Sequence, residues 1–155
     1  DVDTVQLALW FNEAQLDLAY DFGPVMERET GEIPAGYRLK PDDDWLCLLD
    51  SSPPCQVQPN GDIVFTKGGS GKLYYRRLPL GLSGVDGGEE CELPPALHYL
   101  LPIFAAARYW DSESEGEPGE SSHASKWLGY YYQGKNQARA RLLGVHGEIS
   151  GWLVR

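Results

Sequence analysis

Residues 93 to 143 constrain this chain most: a proline-opened apolar helix, an acidic stretch, then a second helix carrying Trp127, Tyr130, Tyr131 and Tyr132. In the first helix Leu97, Leu101, Phe104 and Arg108 line one face, while Tyr99, Ile103, Ala106 and Trp110 recur at intervals of 4, 3 and 4 residues on another. A helix apolar on most sides must be covered on most sides. A chain of 155 residues has few elements to spare for that, which predicts help from a neighbouring chain. Leu97, Leu101 and Phe104 are expected to face the core, and Tyr99, Ile103 and Trp110 the neighbour. Pro102 removes one backbone hydrogen bond and is expected to kink the helix.

The second helix is expected from about Ser122 to Leu143, with Ala124, Leu128, Tyr131, Lys135, Ala138 and Leu142 on one face. Gly129 and Gly134 each weaken it by about 1 kcal/mol relative to alanine, which predicts close approach of another backbone at those turns. Gly144 stands where a helix stop is favoured, and the tail 144–155 carries apolar Ile149, Trp152, Leu153 and Val154. The acidic stretch 111–120 is expected to be an exposed, mobile loop.

The chain is long enough for one domain that buries roughly 68 to 70% of its unfolded surface without disulfides or metals. With 23 Asp and Glu against 13 Lys and Arg, its net charge of −10 argues against a nucleic-acid partner. The odd set Cys47, Cys55 and Cys91 reads as reduced thiols, consistent with intracellular assembly. No apolar run approaches the roughly 20 residues of a membrane span. Asp1 is not preceded by a basic, apolar leader, so the expectation is a soluble chain lacking its initiator Met.

Toward the N-terminus, Asp3 or Thr4 can cap a helix in which Leu7, Phe11, Ala14 and Leu18 share a face, before Gly23-Pro24 stops it. Residues 24–35 read as a connecting loop and Tyr37–Lys40 as a short strand. Asp42, Asp43 and Asp44 suit the positive end of a short helix from Trp45 to Leu49. Cys55–Gln58 and Ile63–Lys67 flank Asn60-Gly61, a hairpin signal because Asn-Gly tolerates positive φ. Leu73–Leu78 is expected to complete a small meander, and residues 81–90 a loose connector.

Catalytic and metal motifs fail on spacing or context. Lys67-Gly-Gly-Ser-Gly-Lys72 superficially suggests a phosphate loop, but Leu73 follows the lysine and a strand follows Leu73, leaving a flexible turn. Gly81-Leu82-Ser83-Gly84 is one residue short of a nucleophile elbow. The aspartates 42 to 44 lack the alternation of a Ca²⁺ loop, and His98, His123 and His146 lack zinc-ligand spacing. Glu89, Glu92 and His98 are the one cluster worth testing for acid–base work. Arg108, Lys126, Lys135, Arg139, Arg141 and Arg155 form a basic set read as ion pairing with the acidic remainder rather than a phosphate patch. No cofactor, metal or catalytic residue is assigned, and the expectation is a non-enzyme.

The succession Phe11-Asn12-Glu13-Ala14-Gln15, Pro41-Asp42-Asp43-Asp44-Trp45-Leu46, Tyr74-Tyr75-Arg76-Arg77-Leu78-Pro79, Leu93-Pro94-Pro95-Ala96-Leu97-His98 and Tyr130-Tyr131-Tyr132-Gln133 resembles the tailed-bacteriophage head-to-tail adaptor family, also called connector or head-completion proteins. The resemblance implies a mainly α fold with a small antiparallel β insertion: a short bundle of about three main helices, a β-hairpin or meander, and an extended C-terminal tail. A single domain 1–155 would comprise helix 1–23, β insertion 36–79 with a short helix, two-helix segment 93–143 and docking tail 144–155. The implied function is a homo-oligomeric ring, commonly a dodecamer, between portal and tail in the virion. The ring would assemble in the host cytoplasm, with DNA as passing cargo. Implied partners are the portal and tail or neck proteins, with no membrane. Ile149, Trp152, Leu153, Val154 and Arg155 would dock to the portal, and Tyr99, Ile103, Trp110, Arg139 and Arg141 would meet the neighbouring subunit. The alternatives are another phage neck or tail-completion protein, or a small regulatory or enzymatic domain.

Overall fold

A computed structural model of the chain describes residues 2–83, 90–114 and 118–143. The chain divides into two compact units, Asp1–Phe22 with Pro79–Arg155, and Gly23–Leu78. Among the described residues the first unit has three α-helices, α1 (Thr4–Phe22), α2 (Leu100–Glu113) and α3 (Pro118–Leu142), with a 3-10 turn at Pro95–Leu97. Asp3 begins α1, its side chain accepting from the Val5 N–H at 3.2 Å, as an N-cap should. Ala14, Leu18 and Phe22 of α1 pack with Leu97, Leu100, Leu101 and Phe104 and with Tyr131 and Ala138 of α3. The Leu97, Leu101 and Phe104 stripe therefore lies in the core. Phe104 meets Tyr131 edge-on, with ring centroids 5.0 Å apart.

Several helical details differ from expectation. Pro102 sits in the first turn of α2, where its missing N–H has no intrahelical partner to lose, so the cause of the expected kink is absent. Asp111–Glu113 belong to α2 and Pro118–Glu120 to α3, which shortens the expected acidic loop from both ends. Acidic side chains near a helix start are compatible with its dipole, so charge alone did not forbid the longer α3. Gly129 has nothing within 4 Å of a notional Cβ, and Gly134 is approached by the side chains of Leu100 and Tyr99 rather than by backbone. The expectations for Glu89, Gly144, His146 and the tail Ile149, Trp152, Leu153, Val154 and Arg155 lie outside the described residues.

The second unit has six strands among its described residues: β1 (Val25–Glu29), β2 (Arg38–Leu39), β3 (Trp45–Ser52), β4 (Cys55–Val57), β5 (Ile63–Phe65) and β6 (Lys72–Arg77). They form two three-stranded antiparallel sheets, ordered β1-β6-β3 and β2-β5-β4. With 44% helix and 22% strand among the described residues, the fold is α+β. The expectation of a mainly α bundle with a small β insertion is corrected.

Three sequence signals misled. Glu27, Arg28 and Glu29 made residues 24–35 look like a loop, yet an edge strand leaves side chains in solvent, where Glu27 forms an ion pair with Lys72. The apolar run Trp45–Leu49 cannot be assigned to helix or strand by periodicity. Pairing with β6 decides for a strand, and Trp45 stacks on Tyr75 at 4.0 Å. The hairpin at Asn60-Gly61 forms, with Gly61 at φ +88°, but β6 leaves for the other sheet. Its departure runs through an anchored link, since Gly69 exchanges backbone hydrogen bonds with Ile33 at 2.9 and 3.0 Å. The expected flexible turn is thus held at Gly69 by Ile33 and at Gly71 by Thr30, and Ile33, Ile63, Phe65 and Leu73 close a core of their own.

Candidate functional site

The helical unit carries two contrasting surfaces. Glu13, Asp17 and Asp21 follow one another at four-residue spacing on α1, which places them on one face. Each meets a cation from another helix: Glu13 accepts from Arg108 Nε at 3.1 Å, Asp17 from Lys135 Nζ at 2.7 Å, and Asp21 from Arg139 at 2.5 Å. Partner numbers rise together from Lys135 to Arg139, so α1 and α3 run parallel. The Tyr131 hydroxyl also donates to the Asp17 carboxylate, at 2.6 Å. Burial pushes the Asp17 carboxyl up, but hydrogen bonds from Lys135 and Tyr131 and the charges of Lys135 and Arg139 reverse this and hold it below the ordinary range. Burial, then the Asp17 carboxylate, pushes the Tyr131 phenol up.

The second surface is aromatic. His123, Trp127, Tyr130 and Gly134 recur at intervals of 4, 3 and 4 on α3 and share one flank. Trp110 of α2 lies against His123 at 4.9 Å, Trp127 meets Tyr130 edge-on at 5.8 Å, and Tyr99 covers Gly134. The Tyr99 and Tyr130 side chains remain 50% and 45% exposed. Arg141, also exposed, continues the line beyond Gly134.

Of the residues expected at a subunit boundary, Tyr99 and Trp110 lie at separate points along this flank, against Gly134 and His123, and Arg141 is exposed seven residues beyond Gly134. Ile103 turns toward the core instead, and Arg139 is occupied by Asp21. The apolar faces of α2 find much of their cover in α1 and α3 of the same chain, so covering them does not by itself require a neighbour.

Glu92 and His98 do not converge on an acid–base pair. Glu92 accepts from the Leu80 N–H at 2.6 Å, and the His98 ring contacts the Leu93 carbonyl at 2.8 Å. Among the described residues no three His, Cys, Asp or Glu side chains gather as a metal ion would need, and no helix is long and apolar enough to cross a membrane. Cys47, Cys55 and Cys91 are unbridged. Burial raises the Cys91 thiol above its ordinary range, and its Sγ donates to Gln15 at 3.3 Å.

Two features escaped sequence reasoning. Asn12 clamps the backbone of Leu82 through both amide atoms, at 2.7 and 2.9 Å, a role that no local pattern reveals because the partner is seventy residues away. Val5, Leu9, Leu16 and Tyr20 form an exposed apolar stripe on α1. Their spacing of 4, 7 and 4 was the available signal, masked by the overlapping Leu7, Phe11, Ala14 and Leu18 pattern.

Comparison of the chain with protein-family models, with curated proteins and with solved structures finds no match in any of the three.

Proposed function

We propose that this chain is a structural virion protein that forms a ring between the portal and tail of a tailed bacteriophage, extends the DNA channel and offers the surface on which the tail assembles. The aromatic flank of Tyr99, Trp127 and Tyr130 carries the proposal. Tyrosine and tryptophan supply large, stiff, amphipathic contact area and are enriched at the centres of protein interfaces. Arg141 at its edge provides a charge suited to setting register with a negatively charged partner. The net charge of −10 suits a channel wall that repels passing DNA.

The test is association with the cognate portal protein, followed by light scattering. The expected result is a complex of ring mass, weakened about tenfold or more by Trp127→Ala or Tyr130→Ala if these are interface anchors. Failure of the folded chain to join the portal, alone or with tail proteins present, would overturn the proposal.

A further inference from the structure

Asp3, Gln6 and Trp10 follow one another at intervals of 3 and 4 residues, which brings them to one face at the start of α1. Tyr109, Ser112 and Glu113 share a face in the last turns of α2 for the same reason. Together the two faces line a cavity of about 410 Å³. Small-molecule sites span roughly 300 to 1,000 Å³. Trp10 and Tyr109 are half-buried and supply aromatic walls, while Asp3 and Glu113 are exposed and supply negative charge.

Both carboxylates can take a further partner. The Asp3 side chain accepts from the Val5 N–H at 3.2 Å and the Thr4 hydroxyl at 3.4 Å through Oδ1, which leaves Oδ2 able to accept from another donor. Glu113 lies at the negative end of the α2 dipole, where a carboxylate is disfavoured and a cation favoured. The last turn of α2 holds no basic residue, and the arginine of that helix, Arg108, is drawn to Glu13 and Asp111. Among the described residues no cation lines the cavity.

Two carboxylates beside two aromatic rings suit a cation that also has apolar surface, because a ring face attracts ammonium groups and packs against methylene groups alike. A metal ion fits poorly. Two carboxylates and two rings offer few of the six to eight oxygen ligands that a hard cation takes, and among the described residues no three His, Cys, Asp or Glu side chains gather.

We propose that this cavity binds a linear di- or polyamine, its ammonium groups paired with Asp3 and Glu113 and its methylene chain laid against Trp10 and Tyr109. The site belongs to the helical unit alone and does not depend on the adaptor reading.

Calorimetric titration of the full-length chain with spermidine at pH 7 tests it. A chain of net charge −10 attracts any polyamine through its overall field, so the control removes a charge elsewhere. The expected result is one saturable site that Glu113→Gln and Trp10→Ala each weaken about fivefold to tenfold. Asp43→Asn, which removes the same unit of charge from an exposed position in the other unit, should change affinity by less than about twofold. N-acetyl-lysinamide, with one ammonium, should bind about tenfold more weakly than spermidine. Glu113 is exposed, so its replacement leaves the fold in place even if Trp10→Ala does not. Absence of saturable binding, unaltered affinity in Glu113→Gln, or an equal loss in Asp43→Asn would each overturn the proposal. N-acetyl-lysinamide binding as tightly as spermidine would also overturn it, making a single ammonium, such as a partner protein's lysine, the occupant.

Discussion

Among single residues, Asp17 holds the most consequential position, because the Lys135 side chain that it pairs with is only 9% exposed. Replacing the carboxylate by a neutral amide leaves a nearly buried ammonium without its counter-charge, and gives Tyr131 and Lys135 a weaker acceptor to share. Asp17→Asn should therefore destabilise the helical unit by about 1 to 3 kcal/mol at pH 7, below the figure for a fully buried pair because the Asp17 side chain is itself 44% exposed. The sign of the pH dependence follows from the lowered pKa of Asp17. Its stabilisation is complete above the unfolded-state value of 3.8 and is lost as pH falls through the lower folded value. Urea unfolding at pH 7 and near pH 3 should show the gap between wild type and Asp17→Asn closing at acid pH. A gap that stays constant would mean that the carboxylate charge contributes nothing.

Among elements, α3 offers a paired test of why a helix keeps glycine. Gly129 faces open space, so Gly129→Ala should stabilise the protein by about 0.5 to 1 kcal/mol through helix propensity alone. A Cβ at Gly134 would lie 2.5 Å from Leu100 Cδ2 and 2.9 Å from the Tyr99 hydroxyl. Tyr99 can swing into solvent, but Leu100 is fully buried. Overpacking there should outweigh the propensity gain, leaving Gly134→Ala net destabilising by about 1 kcal/mol. Thermal unfolding of the two variants should shift in opposite directions, and equal upward shifts would refute the packing role of Gly134. The same helix shows how far sequence carries. The spacing of Tyr131, Lys135 and Ala138 identified its buried face, because one face of a helix is set by local periodicity. That Lys135 and Arg139 would meet Asp17 and Asp21 was legible only as a general expectation of ion pairing, since partners more than a hundred residues away leave no local pattern. The strands were harder still: β1 hides behind Glu27, Arg28 and Glu29, and the pairing of β3 with β6 rests on contacts formed only in the folded unit. Of the candidate surface, Tyr99 and Trp110 could be placed together by helical spacing, but the burial of Ile103 depends on which helix packs against it.

At the scale of the whole molecule, charge decides how the chain treats DNA. Nucleic-acid affinity grows with the number of phosphates that free cations can neutralise, and each such contact steepens the salt dependence. Here the excess of 23 acidic over 13 basic residues gives a net charge of −10. The cations concentrated toward the end of the chain are also engaged: Arg108 with Glu13, Lys135 with Asp17, and Arg139 with Asp21. Among the described residues of that region, Arg141 is exposed and Lys126 lies 6.0 Å from the centre of the Tyr130 ring, too few positive groups there to form a phosphate track against that background. Duplex DNA should accordingly bind more weakly than about 10⁻⁴ M between 50 and 200 mM salt, the range in which basic proteins bind duplex nonspecifically and lose affinity steeply. Neutralising Glu13 and Asp21 as the Gln and Asn variants would remove the acidic partner of Arg139 and one of the two acidic partners of Arg108, which keeps Asp111 at 3.9 Å, yet leave the chain strongly negative, so fluorescence anisotropy should register no gain in binding. Measurable affinity in the wild type, falling with salt at the slope of several phosphate contacts, would mean that the paired cations are available to DNA. It would also remove the basis for treating DNA as cargo that the protein repels rather than a partner that it holds.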